Sequence, residues 1–191
     1  MQEIEIEYKN LLTREEFEAA AKKFNLSPHD FKTQINYYFD TASFGLKDEN
    51  CALRIRNKNG LFTLTFKEPA AEGLLETHQE LSKEEAGAIL GGGAIPAGAV
   101  RIRAERFGID MGTVELFGAL ETDRCEFRYK DGLLVFDNSR YLGKEDYELE
   151  YEVTDAESGK RNFYQLLKEL NISVRHAENK VKRFYNAKFN G

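Results

Sequence analysis

The sequence predicts a mainly β protein, an eight-stranded antiparallel barrel with helices on its periphery. Three observations lead to this fold. Most segments alternate apolar and polar residues with a period of two, short turns join consecutive segments, and few helical segments separate them. Strands in sequence-adjacent hairpins favour an antiparallel sheet, and eight strands can close into a barrel without exposed edges. A length of 191 residues suits one domain, so we expect a single domain over residues 1–191.

The N-terminal segment combines a charged strand with an amphipathic helix. In EIEIEYK, residues 3–9, glutamates and a lysine alternate with isoleucines and a tyrosine, which is typical of a two-faced strand. A T-x-x-E capping box at Thr13 and Glu16 then begins a helix over residues 14–25. Pro28 ends this helical segment.

The middle of the chain returns to a period of two. QINYYFDT, residues 34–41, predicts a strand, and ALRIRNKNGLFTLTFKE, residues 52–68, predicts a hairpin. The hairpin turns at Asn59-Gly60, a dipeptide that tolerates the positive φ angles of a tight turn. LLETHQEL, residues 74–81, continues as a strand, and a capping box at the following serine predicts a short helix to about residue 90.

The C-terminal half follows a glycine-rich connection, GGGAIPAG. Four more segments predict strands: AVRIRAERFGID, TVELFGALETDRCEFRY, LLVFDNS and DYELEYEV, at residues 99–110, 113–129, 133–139 and 146–153. Helices are expected over residues 158–170 and 177–187.

Composition excludes several classes of function. A formal net charge of -6 gives no general attraction to nucleic acid or to anionic membranes, so an anion site needs a local group of the 27 lysines and arginines. Membrane-spanning runs and a signal peptide are absent from the sequence pattern, and we expect a cytoplasmic protein that is a monomer or a homodimer. Cys51 and Cys125 lie outside any CxxC pair and are expected to be reduced, ordinary residues.

Charged residues keep to one face of several predicted strands. Arg54 and Arg56 alternate with Leu53 and Ile55, and the three glutamates of YELEYEV, residues 147–153, alternate with apolar residues. Two interpretations remain open at this point. The charged faces could meet water around an apolar core, or they could line the interior of a barrel whose apolar outer wall is covered by the helices. A charged interior would bind a polyanion together with a cation.

A series of short motifs resembles one known family. The motifs are EIEYK, LRIR, TFK, DR, FD, ELE and NKVKR, at residues 5–9, 53–56, 65–67, 123–124, 136–137, 148–150 and 179–183. In this order they resemble the CYTH superfamily, the triphosphate tunnel metalloenzymes, which include class IV adenylate cyclases, thiamine triphosphatases and inorganic triphosphatases. The resemblance covers essentially the whole chain and implies an eight-stranded barrel around a hydrophilic tunnel.

The resemblance also implies roles for individual residues. The carboxylates that it places at the metal site are Glu5, Glu7, Glu148 and Glu150, and together with Lys9 these are expected to be catalytic. The basic residues that it places along the phosphate path are Lys9, Arg54, Arg56, Lys67, Arg124, Lys180 and Arg183. Asp137 and either Glu76 or Glu80 are further acidic residues on that path. Mg²⁺ or Mn²⁺ suits such a set, because both prefer oxygen ligands and Mg²⁺ usually shares its coordination with substrate phosphates.

Other charged residues fall outside the matched motifs. Glu3 and Glu152 are expected to be solvated charges at strand ends. Arg101 and Arg103 resemble the LRIR pattern, and their role is left open. The three histidines have no metal-ligand spacing, and an oxygen-ligated Mg²⁺ does not need them.

The main functional hypothesis is a metal-dependent hydrolase of a small triphosphate, foremost inorganic triphosphate, with ATP and thiamine triphosphate as other possible substrates. One alternative is a class IV-type adenylate cyclase, in which the ribose 3′-hydroxyl of ATP attacks the α-phosphorus. Another is a non-catalytic module that binds polyphosphate or a nucleotide, although paired carboxylates weaken a pure anion trap.

Overall fold

The computed structural model describes residues 1–189 and contains a closed antiparallel barrel of eight strands, which confirms the predicted fold. The strands are β1 (Gln2–Leu12), β2 (Lys32–Thr41), β3 (Ala52–Lys58), β4 (Leu61–Pro69), β5 (Leu74–Leu81), β6 (Val114–Tyr129), β7 (Gly132–Tyr141) and β8 (Lys144–Val153). Their order around the barrel is β1-β5-β4-β3-β2-β6-β7-β8. Consecutive strands are therefore mostly neighbours, as the short connections indicate.

The helices are α1 (Arg14–Lys23), α2 (Gly45–Asp48), α3 (Lys83–Leu90), α4 (Ala99–Glu105), α5 (Ala156–Glu169) and α6 (Lys180–Phe189). The predicted capping box at the start of α1 is present: the Thr13 hydroxyl accepts from the Glu16 backbone N–H, and the Glu16 carboxylate accepts from the Thr13 backbone N–H. Among the described residues, every helix is too short or too polar to cross a membrane.

The segment 99–110 is the one place where the predicted element type is wrong. Residues 99–105 form helix α4 instead of a strand. The Arg-Ile-Arg alternation suggests a period of two, but the apolar residues that become buried are Val100 and Ala104, four positions apart. This is the spacing of one helix face, so burial of that face decides the conformation.

The chain divides into two compact units. Within the described residues, the first unit comprises residues 1–4 and 34–120, and the second comprises residues 5–33 and 121–189. In the first unit, β2, β3, β4 and β5 pair in sequence order. The predicted turn between β3 and β4 has φ angles of 56° at Asn59 and 81° at Gly60, as a tight hairpin turn requires.

The apolar face of the first unit packs under its three helices. Leu53 and Ile55 of β3 and Leu64 and Phe66 of β4 are fully buried. They join one core with residues of α2, α3 and α4: Leu46, Ala86, Ile89, Val100 and Ala104. Burial of an aliphatic or phenylalanine side chain of this size contributes about 1.5–3 kcal/mol, so this face fixes the register of the strands.

The second unit repeats this arrangement with β1, β7 and β8 beneath α1 and α5. β8 pairs with β1 on one side and with β7 on the other, and β7 pairs with the second half of β6. Phe136 and Leu149 lie in the core with Phe17 of α1 and Phe163 of α5. The Phe17 and Phe136 ring centroids are 5.6 Å apart at an interplanar angle of 72°, a favourable edge-to-face contact.

Helices cover the apolar face of the strands in each unit. The charged residues that alternate with these apolar residues therefore point to the opposite face, which is the inner side of a closed barrel wall. Of the two interpretations left open by the sequence, the charged interior is the one found. Charged faces turned to water around an apolar lumen are excluded by the helix packing.

Both cysteines are free and buried, in agreement with the sequence. Burial, with a smaller contribution from Glu49, raises the pKa of the Cys51 thiol to about 12. A thiol with such a pKa stays protonated at neutral pH and is a poor nucleophile.

Candidate active site

Three buried carboxylates meet on the inner face of the second unit. Asp137 of β7 lies opposite Glu148 of β8 in the strand register, and Glu150 follows two positions later on the same face. Their exposed fractions are 0% for Asp137, 1% for Glu148 and 4% for Glu150. Carboxylate oxygens of all three lie within 4.8 Å of one another. We call these three residues the carboxylate cluster.

Two cations offset the charge of the carboxylate cluster. The Lys180 ammonium lies 2.9 Å from Asp137 Oδ2 and 2.6 Å from Glu148 Oε2, and it also contacts Glu150. The Arg124 guanidinium donates two bonds to Asp137, at 2.8 and 2.6 Å, and one of 2.7 Å to Glu150. Lys180 is the first residue of α6, so the position of this helix determines where the ammonium lies.

These contacts set the protonation states of the cluster. Burial alone would raise the pKa of Asp137, but the charges of Arg124 and Lys180 outweigh it and hold the pKa below its usual range. The same balance, with Lys180 the strongest opposing charge, lowers the pKa of Glu150. Burial opposes the charged form of Lys180, yet the three carboxylates raise its pKa. Asp137 and Glu150 are therefore ionised at neutral pH.

Arg183 extends the ionic network from the same helix. Its Nη2 lies 2.8 Å from Glu148 Oε2 and its Nε lies 3.0 Å from Asp146 Oδ2. The Tyr141 hydroxyl donates a bond of 2.5 Å to the same Asp146 oxygen. Despite burial, Glu148 and Asp146 raise the pKa of Arg183. Both predicted basic residues of the NKVKR motif thus lie next to carboxylates of β8.

The signature on β1 lies beside β8 but outside the carboxylate cluster. Lys9 is opposite Glu150 and Glu7 is opposite Glu152 in the register. The Lys9 ammonium bonds the Glu7 carboxylate and the Asn179 side-chain oxygen, both at 2.5 Å. Glu5 lies two positions earlier on the same face as Glu7, and its negative charge raises the pKa of Glu152. The predicted metal ligands Glu5 and Glu7 of β1 are therefore on the strand adjacent to Glu148 and Glu150 of β8. The carboxylates that lie within 4.8 Å of one another are instead those of Asp137, Glu148 and Glu150.

Glu152 is not the solvated strand-end charge that the sequence predicts. Its side chain is 30% exposed and lies 3.8 Å from Arg124 Nη1. Burial raises its pKa to about 7; Arg124 opposes this rise, whereas Glu5, Glu150 and Glu7 add to it. The sequence does contain an indication of this position. Glu148, Glu150 and Glu152 occupy every second position of one strand, so Glu152 lies on the same face as the other two.

The first unit has a separate group of predicted site residues. Glu76 is 3% exposed; it pairs with the Lys67 ammonium, and its Oε2 lies 3.8 Å from Arg54 Nη2. Within residues 1–189, Arg54 Nε is a buried donor without a hydrogen-bond partner. Arg56 Nε donates a bond of 3.0 Å to Asn36. A buried, unpaired guanidinium donor beside a lysine is a suitable contact for a phosphate oxygen.

The structure distinguishes between the two glutamates that the sequence offers on β5. Glu76 is the buried one that meets Lys67 and Arg54, whereas Glu80 is exposed and accepts a bond of 3.3 Å from the Thr63 hydroxyl. Glu76 is thus the better candidate for the acidic residue on the phosphate path.

Arg101 and Arg103, whose role the sequence leaves open, belong to helix α4. Arg103 pairs with Glu68, a carboxylate that is 3% exposed. Arg101 pairs with Glu105 one turn later, at 2.8 Å, near the surface. Both arginines are bound by carboxylates, Arg103 by Glu68 of β4 and Arg101 by Glu105 of its own helix.

The donor set of the carboxylate cluster suits Mg²⁺ or Mn²⁺. It offers hard carboxylate oxygens only, from residues held in place by Arg124 and Arg183. Mg²⁺ and Mn²⁺ prefer such oxygens over nitrogen or sulfur. The cluster can therefore bind a divalent cation.

Comparison with known proteins gives a family match over nearly the whole chain. A family model for the CYTH domain matches residues 3–185. The candidate triphosphatase YjbK of Bacillus subtilis is 48% identical over 187 residues, which cover 98% of this chain and 97% of that protein.

Solved structures show the same fold. A crystal structure of a candidate adenylate cyclase from Bacillus halodurans has a TM-score of 0.94 and 42% identity, and covers 96% of this chain and 98% of that chain. A protein from Hippeastrum, HpAC1, described as a candidate adenylyl cyclase with a dominant triphosphatase activity, has a TM-score of 0.78 and 23% identity, with 97% and 96% of the two chains covered.

Proposed function

Because the chain belongs to the CYTH domain family, we propose that it is a divalent-metal-dependent triphosphatase that acts on a small triphosphate, foremost inorganic triphosphate. In this reaction water attacks the terminal phosphorus, the bridging P–O bond breaks, and orthophosphate and diphosphate are released. The observation that carries the proposal is the carboxylate cluster: Asp137, Glu148 and Glu150 are buried within 4.8 Å of one another, and neighbouring cations hold the pKa values of Asp137 and Glu150 below their usual range. The 48% identity to the candidate triphosphatase of Bacillus subtilis supports the choice of reaction.

The carboxylate cluster would hold the metal ion, Mg²⁺ or Mn²⁺. When bound, such an ion offsets the charge that develops on phosphate oxygens during transfer. Three buried carboxylates in contact destabilise the fold unless a cation lies among them. In this structure the Lys180 ammonium contacts all three. We expect Lys180 to give up part of these contacts when a divalent ion binds, which leaves its ammonium available to a phosphate oxygen.

Arg124 and Arg183 act on the carboxylates. Arg124 binds both oxygens of Asp137, and Arg183 binds Glu148. A bidentate guanidinium contact fixes the plane of a carboxylate, so these two arginines orient the oxygens for metal binding. Glu5, Glu7 and Lys9 on β1 belong to the same charged face in this proposal, with Lys9 next to Glu150 in the register.

The basic residues of the first unit are proposed to bind phosphate oxygens. Arg54 supplies the unpaired Nε donor, Lys67 supplies a mobile ammonium, and Arg56 is held by Asn36. A triphosphate carries about four negative charges at neutral pH, and several enclosed cations are needed to offset them. Glu76 keeps Lys67 in place when no substrate is bound.

An adenylate cyclase is the second candidate, since the related Bacillus halodurans structure is described as one. The two reactions share the charged site and differ in the nucleophile. Hydrolysis of the terminal bond of ATP releases orthophosphate, whereas cyclisation releases pyrophosphate and yields cyclic AMP.

A substrate panel separates the candidates. The purified chain is incubated with inorganic triphosphate, ATP or thiamine triphosphate, each with Mg²⁺, Mn²⁺ or a chelator, and orthophosphate, pyrophosphate and cyclic AMP are quantified. The proposal predicts orthophosphate release that is fastest from inorganic triphosphate and that stops with the chelator. Formation of cyclic AMP and pyrophosphate from ATP would instead establish the cyclase, and tight triphosphate binding without turnover under either metal would establish a binding module.

A further inference from the structure

A second group of possible metal ligands lies in the first unit and includes a nitrogen donor. It consists of Glu3 of β1 with Glu76 and His78 of β5, whose ligand atoms lie within 4.8 Å of one another. His78 Nε2 is 3.0 Å from Glu3 Oε1 and 3.4 Å from Glu76 Oε2. None of the three histidines has metal-ligand spacing in the sequence. Here the fold brings His78 to the two glutamates.

Backbone pairing fixes the place of Glu3. The His78 N–H donates to the Met1 carbonyl at 2.9 Å, and the Met1 amino group donates to the His78 carbonyl at 3.1 Å. Glu3 has the same strand phase as Met1, so its side chain extends on the face that His78 occupies. The Glu3 side chain is 57% exposed, so the group of three residues is open to solvent on this side. The Glu76 side chain is only 5% exposed and lies on the buried side of the group.

Two separations from His78 Nε2 match those between ligand atoms around a metal ion. With metal–ligand bonds of about 2.1 Å, two ligand atoms lie roughly 3.0 Å apart at a right angle and roughly 3.4 Å apart at a tetrahedral angle. The two distances from His78 Nε2, 3.0 and 3.4 Å, fall on these values. Together with the limit of 4.8 Å on the third separation, these distances place the three donors close enough to share one ion.

The imidazole ring is held from its other side. His78 Nδ1 lies 3.0 Å from the hydroxyl of Thr65, a residue that is 2% exposed and lies directly opposite His78 in the pairing of β4 with β5. When Nδ1–H donates to this hydroxyl oxygen, the lone pair of Nε2 points to the two carboxylates. Histidines that bind metals almost always have such a partner on the second ring nitrogen.

The types of ligand atom determine which ions can bind. Glu76 already pairs with Lys67 and lies near Arg54, so the ion meets opposing charge on one side. Mg²⁺ prefers oxygen ligands, so the imidazole nitrogen of His78 contributes little to its binding. An imidazole nitrogen together with carboxylate oxygens suits Zn²⁺ and its first-row neighbours, whose affinity for such mixed sites exceeds that of Mg²⁺.

We propose that Glu3, Glu76 and His78 bind a divalent transition-metal ion of the zinc class. This site differs from the carboxylate cluster in its residues, its nitrogen ligand and its metal, and it holds whether or not the chain hydrolyses triphosphate.

The test uses nuclear magnetic resonance of the full chain with ¹⁵N-labelled histidine, stripped of metal and titrated with Zn²⁺. The three histidine rings are assigned by the variants His29→Asn, His78→Asn and His176→Asn. We expect the Nε2 resonance of His78 to shift and saturate while its Nδ1 stays protonated, with His29 and His176 unchanged. The carboxylate cluster has no ring nitrogen, so zinc bound there does not affect this readout.

Variants test the individual ligands. Glu3→Gln, at an exposed position, should remove the saturable shift, whereas Glu80→Gln on the same strand as His78 should leave it intact. Thr65→Val should lower the zinc affinity about 10- to 100-fold, as loss of an outer partner does. The proposal is overturned if the His78 resonance does not move, if it moves in step with His29 as in adventitious binding, or if Glu3→Gln binds zinc as tightly as the unaltered chain.

Discussion

Removal of the Lys180 ammonium tests the charge balance of the carboxylate cluster. Lys180→Met keeps a side chain of similar length and leaves three buried carboxylates that had shared this cation. Loss of one partner of a buried ion pair costs about 3–5 kcal/mol, because the remaining charges are desolvated without compensation. For a chain of this size, each kcal/mol of lost stability lowers Tm by about 2–4 °C. We therefore expect the Tm of Lys180→Met to be roughly 6–20 °C below that of the unaltered chain.

Lys182 provides the matched control on the same helix. Its side chain is 59% exposed and pairs with Glu178 at 2.8 Å, one turn earlier. Exposed helical pairs of this kind contribute about 0.3–0.5 kcal/mol, so Lys182→Met should unfold nearly as the unaltered chain does. The assays are thermal unfolding, which gives Tm, and urea unfolding, which gives the free energy of unfolding, both in EDTA and followed by circular dichroism for the three proteins.

The same samples with Mg²⁺ extend the test to metal binding. In Lys180→Met no ammonium competes for the cluster, so a divalent ion should stabilise this variant more than the unaltered chain. An ion at a hundred times its Kd that binds only the folded state adds about 2.7 kcal/mol. The reasoning is refuted if Lys180→Met loses no more stability than Lys182→Met, or if Mg²⁺ stabilises the variant and the unaltered chain equally.

Two further predictions concern groups whose surroundings the structure defines. The folded-state pKa of Glu152, about 7, exceeds its ordinary value of 4.5, so stability should fall as pH rises through this window. In EDTA, Glu152→Gln should therefore be more stable than the unaltered chain above pH 7, by about 3 kcal/mol at most, and the gain should vanish below pH 4.5; a constant difference in urea unfolding across this range would contradict the assignment. Arg103→Met should cost about 3–5 kcal/mol because buried Glu68 loses its partner, whereas Arg101→Met near the surface should cost less than about 1 kcal/mol, and equal thermal shifts for the two variants would argue against this.

Much of the fold is predictable because the alternation of residues is unambiguous wherever the apolar phase is filled by large side chains. Leu53 and Ile55 alternate with Arg54 and Arg56 and allow only one face to be buried, and Asn59-Gly60 permits a tight turn. Helix α4 is the exception, since Arg-Ile-Arg fits either period over three residues. Its helical face becomes evident only with the burial of Val100 and Ala104, which depends on tertiary packing.

In the candidate site, too, some features follow from the local sequence pattern and others depend on tertiary structure. Strand phase alone places Glu148 and Glu150 on one face, but the membership of Asp137 in the carboxylate cluster depends on the register of β7 against β8. The raised pKa of Glu152 depends on burial and on charges from another strand. His78 and Glu3 meet through backbone bonds between residues 1 and 78, and no local pattern indicates such a contact.

The central claim is that the buried carboxylates of β7 and β8 support metal-dependent triphosphate hydrolysis. The most direct measurement is orthophosphate release from inorganic triphosphate with Mg²⁺ or Mn²⁺, for the unaltered chain, Glu150→Gln and Glu145→Gln, with circular dichroism to verify the fold. Glu145 is on the same strand but 39% exposed by side chain. We predict that Glu150→Gln loses roughly a hundredfold in rate or more, at least as much as loss of an outer partner of a metal ligand costs, and that Glu145→Gln keeps its rate. A folded Glu150→Gln that turns over as fast as Glu145→Gln would contradict the account.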